Sequence, residues 1–178
     1  MQKTKNFIFT TLHVITWMIF VGLCIDLGGI IVNFVFNILY PEFIGRLYQK
    51  LDLSLLYQQR QSVFFITYAI IIIIAFLKVK LFYTVINMLL KLNLDEPFNE
   101  FISKKILKIA SITFSIGIVS FIGRWIIQFF HRQGFEMSKF NDFWIDSHTF
   151  IMMSAIIYII AQIFNRGVEL QHEKDLTV

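Results

Sequence analysis

The chain has 178 residues, enough for one compact domain, of which 57% are hydrophobic and only 16% charged. A soluble domain carries about a quarter of its residues charged, and a mean hydropathy of +0.68 implies more apolar surface than one core can bury, so the composition calls for a lipid solvent. A net charge of +4 would suggest nucleic acid in a soluble protein. Here it marks loops that face anionic lipid, and no direct nucleic acid binding is expected.

Four apolar stretches follow one another, each able to supply the roughly 20 helical residues that cross hydrocarbon. The expected fold is therefore an all-α integral membrane protein. It forms a single domain over 1–178, with four transmembrane helices in one bundle at approximately 8–36, 62–90, 98–130 and 142–170. The first stretch follows Lys3 and Lys5, as a signal peptide would. It is too long for an h-region and lacks an A-x-A site, so it reads as a retained anchor. Gly22, Asp26, Gly29, Asn33 and Asn37 recur on one of its faces, and Cys24, the single cysteine, rules out an internal disulfide.

The loop 41–61 holds Phe43, Leu47 and Leu51 at helical spacing, which predicts a short outer interfacial helix. The second stretch, as one helix from Val63 to Leu90, would be about 42 Å long and outrun the bilayer. Its polar stripe Lys80, Thr84, Asn87, Lys91 predicts an amphipathic end beyond the membrane. A turn follows, in which Asp95 or Glu96 can cap and Pro97 suits the first turn of the next helix. That helix starts amphipathic, with Phe98, Ile102, Ile106 and Ile109 on one face. Helices two and three thus extend into a cytoplasmic hairpin. Thr113, Gly117, Ser120 and Arg124 then form a second small and polar stripe. Asp146 begins the fourth helix, and Arg166, Glu169 and Glu173 carry it past its apolar part.

Lys and Arg set the orientation. Ten of them fall on the side of the N-terminus, the middle loop and the tail, and five on the other, with Arg124 inside a span. Both termini are expected in the cytoplasm, with Trp144, Tyr40 and Tyr57 in an outer aromatic belt. Measured from Phe7 and Ile106, Asp26 and Arg124 fall at similar depth. A lone charge at the bilayer centre costs on the order of 3 kcal/mol. Helices one and three are therefore expected to pack through their small stripes, with Asp26, Arg124 and Asp146 as an intramembrane polar cluster.

Chemistry is not written in this sequence. The four histidines lack metal-ligand spacing, and there is no G-x-S-x-G, H-E-x-x-H or P-loop motif. Neither a cofactor nor an enzymatic activity is expected.

Several blocks carry a resemblance. Trp17 with Phe20-Val21-Gly22-Leu23-Cys24-Ile25-Asp26 and Gly29 makes the first; Leu51-Asp52-Leu53 and Leu92-Asn93-Leu94-Asp95-Glu96-Pro97-Phe98 follow. The last is the ending Gly167-Val168-Glu169-Leu170-Gln171 with Glu173 and Asp175-Leu176-Thr177-Val178. Together they resemble the bacterial domain-of-unknown-function family 2975. The resemblance implies a four-helix protein of the bacterial inner (plasma) membrane, without an established activity, of a kind encoded beside a small helix-turn-helix regulator. The family's intramembrane acid is often Glu, where this chain has Asp26.

Two functional expectations result. The first is a non-enzymatic regulatory protein that binds a cytoplasmic partner, such as a small DNA-binding regulator, through Lys91, Lys104, Lys105, Lys108, Glu169 and Glu173. The second is an oligomeric transporter or channel component that uses Asp26 and Arg124.

Overall fold

The computed structural model describes residues 2–39, 60–92, 98–134 and 147–176, with side chains from Phe9 to Glu173 within those ranges. They form four helices: α1 Gln2–Leu39, α2 Gln61–Lys91, α3 Glu100–Arg132 and α4 Ser147–Leu176. Every one is long and apolar enough to cross a bilayer. The chain is an all-α, multi-pass membrane protein. The expected helix in the 41–61 loop, the aromatic belt residues Tyr40, Tyr57 and Trp144, the 93–97 turn and Asp146 all lie outside the described residues.

Apolar sequence makes these helices, and their polar side chains are kept from disturbing them. Hydrocarbon offers no hydrogen bonds, so each hydroxyl or amide in a span must find a partner within the protein. Thr16, Thr67, Thr84 and Thr113 donate to carbonyls one turn back, at 2.7 to 2.8 Å. Ser115 and Ser154 fold back in the same manner. The ends are set locally. Asn99 caps α3 by accepting from the Ile102 amide at 2.9 Å, so the cap lies beyond Asp95 and Glu96, where the sequence suggested it. After Arg132 the chain leaves the helix through Gly134, whose φ of 91° suits a residue without a side chain.

The packing is serial. α1 lies on α2, α2 on α3 and α3 on α4; among the described residues α1 and α4 share no comparable interface. The helices therefore form a row open at one side. α1 is its most exposed member, with 11% of its span buried against 50% for α3.

The expected packing of the first helix on the third is corrected here. α1 packs on α2 instead, because its large residues find their partners there. Ile30 shares a core cluster with Phe64, Tyr68, Ile71 and Ile74, and Phe34 stacks against Phe64 and Tyr68. The outer part of the α1 stripe follows: Asn37 is fully buried and donates to Asn33 and to the Tyr68 hydroxyl at 3.3 Å. Gly22, further along the stripe, faces open space.

The α3 stripe is used against α4. A Cβ built on Gly117 would lie 2.6 Å from Ile151 Cγ1 and 3.1 Å from the Ile151 amide nitrogen. Glycine is what lets the two backbones approach this closely. Replacing Gly117 with leucine is expected to cost about 1–3 kcal/mol of stability, the usual range for overpacking. Gly117→Ala should cost less and be partly rescued by Ile151→Ala. Thermal unfolding in lipid nanodiscs measures both.

Candidate interaction surface at the basic end

Antiparallel helices in alternation bring both chain termini to one end of the row. The same end collects the close of α2 and the start of α3. Lys91, Lys104, Lys105, Lys108 and Arg166 are found there, so it is the basic end.

A small apolar cluster holds it together. Ile102 and Ile106 from α3 bury against Ala161 of α4, with Met88 and Leu92 from α2 and Phe164 packed around them. Three helices thus share one plug, in which the end of α2 and the start of α3 lie against α4. Phe98 completes it. Its ring lies 5.2 Å from that of Phe164 and rests on Gly167, where an added Cβ would sit 2.8 Å from Phe98 Cε1. Ser103 donates to the Asn165 side chain nearby.

Charges decorate this plug. Lys91 of α2 and Lys105 of α3 both stand over the Phe101 ring, at 4.7 and 5.2 Å from its centroid. A cation over an aromatic face is worth about 0.5–1 kcal/mol when exposed, so Phe101 ties the two helix ends together while their ammonium groups stay outside. Lys104 pairs with Glu100 at 2.6 Å, and Arg166 with Glu169 at 2.9 Å. These pairs are well exposed and contribute about 0–1 kcal/mol each; they hold charges in place more than they hold the fold. Lys108 and Glu173 are exposed as well.

Of the other predicted set, Asp146 lies outside the described residues, and Asp26 and Arg124 do not pair with each other. Asp26 makes no ion pair or hydrogen bond with a described residue. Arg124 is half-buried and has a partner of its own. Equal steps back from the Lys91–Phe101 contact put Arg124 level with Tyr68, which bonds Asn37. Asp26 lies eleven residues before Asn37 on the same helix, about 16.5 Å away at the helical rise. Phe7 and Ile106 lie at different levels, so similar counts from them do not give similar depths.

Between α3 and α4 lies an open-sided groove of about 350 Å³, walled by Leu107, Phe114 and Ile151, with Ser111, Ser154 and Tyr158 as its polar residues. Among the described residues no group of three or more His, Cys, Asp or Glu gathers as a metal would require.

A model of the family described as "Protein of unknown function (DUF2975)" matches residues 38–178. The chain belongs to this family. The DUF2975 match takes in α2, α3 and α4, and with them the Leu92-to-Phe98 block and the ending that begins at Gly167. Those two blocks meet in space at the Phe98–Gly167 contact. The Trp17 block lies outside the match, as does all of α1 before Ile38. No curated protein and no solved structure matches the chain.

Sequence reasoning named the charges of this surface but missed its apolar key. The available signal was an isolated glycine in a helical pattern, which usually has a packing reason. Gly167→Val should displace the Phe98 ring and open the chain at Phe98 and Asn99 to protease. The added variant Phe98→Ala should remove the clash. Limited proteolysis of the two proteins in detergent, compared with the parent, checks this.

Proposed function

We propose that this DUF2975 protein is a non-enzymatic regulatory protein of the bacterial inner membrane that binds a cytoplasmic protein at its basic end. The observation that carries the reading is the Phe98–Gly167 lock. It ties the residues that lead into α3 to the α4 tail in one platform. On that platform Lys91, Lys104, Lys108, Glu169 and Glu173 are exposed, at positions fixed by the plug beneath. A fixed array of both charge signs favours one partner over others through complementary charge, and speeds encounter more than it adds affinity.

The distribution of Lys and Arg, eight to five even without Lys78 and Lys80, which lie within α2, supports placing this end in the cytoplasm. The partner suggested by the family resemblance is a small helix-turn-helix regulator, held at the membrane and released on an envelope signal. The protein itself would then make no contact with nucleic acid. An oligomeric transporter or channel component that uses Asp26 and Arg124 is the alternative. It has less support, since the helix register separates those two charges.

Charge reversal tests the reading. Lys104→Glu with Lys105→Glu forfeits one exposed ion pair and one cation–π contact, so the protein should still fold. A tagged protein purified from its native host in mild detergent should retain a small DNA-binding protein, identified by mass spectrometry. The double variant should lose it, at an unchanged elution volume and melting temperature. Retention of the same partner by the double variant would remove the basic end from the explanation. Recovery of a defined homo-oligomer and no other protein would favour the transporter. Reporter fusions at both termini should also report cytoplasmic placement.

A further inference from the structure

Among the described residues, besides Lys80, which is exposed on another face of α2, two charges lie well inside the spans with no ion pair or side-chain hydrogen bond: Asp26 on α1, exposed, and Lys78 on α2, half-buried. Charges within hydrocarbon are expensive, and such residues nearly always pair with one another or with backbone groups. Helix geometry puts these two side by side. Ile30 of α1 and Ile74 of α2 belong to one buried cluster. Asp26 stands one turn before Ile30, and Lys78 one turn after Ile74. Because the helices are antiparallel, both steps lead toward the basic end and along the face that carries the shared core. Contacts above and below fix the register: Asn37 with Tyr68 toward the far end, Phe20 with Tyr83 toward the basic end. Asp26 and Lys78 therefore face the same level of the same helix pair.

We propose that Asp26 and Lys78 form an ion pair within the membrane that latches α1 onto α2. The long, flexible lysine stem gives the ammonium group reach toward the carboxylate. The pair acts on the one helix that lies almost wholly outside the family match and at the open edge of the row. α1 buries little of its own surface, and lipid gives two apolar helices no hydrophobic reason to stay together. A charge contact at mid-length supplies that reason. Its state then decides whether α1 stays on the edge of the row or leaves it. This proposal is independent of the basic-end partner.

The test is a charge swap in the full-length protein, reconstituted in nanodiscs of phosphatidylethanolamine and phosphatidylglycerol. Asp26→Lys and Lys78→Asp should each lower the melting temperature. The double swap should recover most of the combined loss, since it restores opposite charges at the same level. Losses that simply add in the double swap would overturn the pair. Where a single reversal blocks insertion, a second measurement stands without it. In a Cys24→Ser background, Asp26→Cys with Lys78→Cys is treated in native membranes with a short bifunctional methanethiosulfonate. Internal cross-linking, read as a mobility shift on a denaturing gel, should exceed that of Asp26→Cys with Lys80→Cys, whose lysine lies on another face of α2. Cross-linking no greater than in that control would overturn the placement.

Discussion

Lipid supplies neither hydrogen bonds to a helix nor a hydrophobic reason for two helices to touch. Everything that organises this protein is an answer to that constraint. Threonine and serine hydroxyls turn back onto their own helices, which keeps polar atoms satisfied without specifying a neighbour. Neighbours are specified by shape. Gly117 admits Ile151, and Gly167 admits Phe98, and between these two points α3 and α4 form the most extensive interface of the row. The α1–α2 pair shows a different kind of contact. It relies on aromatic stacking of Phe34 with Phe64 and on the buried Asn33–Asn37–Tyr68 set.

The four spans were legible because apolar runs of sufficient length have one physical solution in a bilayer. Which helices would be neighbours was not. Hydropathy locates a span but fixes its depth only loosely, since tilt and amphipathic ends shift it by a turn or more. α3 shows the difficulty. Its first turns, with Glu100, Lys104 and Lys108, belong to the platform, so counting depth from Ile106 displaced Arg124 relative to Asp26. The small-residue stripes were real, yet a stripe does not name its partner. The α3 stripe met Ile151 of α4, and the α1 stripe met Tyr68 of α2.

The candidate surface divides along the same line. Its lysines and glutamates could be listed from the sequence, since charge beyond a span is visible at once. Their arrangement could not, because it depends on Phe98 reaching across to Gly167 and on Phe101 lying beneath Lys91 and Lys105. In this protein aromatic rings set the positions of charges. Removing a ring would rearrange the surface without changing its net charge, whereas reversing a lysine would change the charge and spare the arrangement.

That separation between frame and charge bears on how a signal could reach the basic end. Among the described residues, α2 carries α1 on one flank and α3 on the other. Its last turn enters the plug through Met88 and Leu92, and Lys91 caps Phe101. Lys78 lies on the same helix, among its contacts with α1 and on the way to that plug. A change in how α1 sits on α2 therefore has a continuous path of packed residues to the platform, and a rigid helix carries it. Coupling along such a path requires two distinct arrangements of the linking element. An α1 held by one charge contact at mid-length and few buried residues elsewhere is the element of this fold with the lowest barrier to a second arrangement.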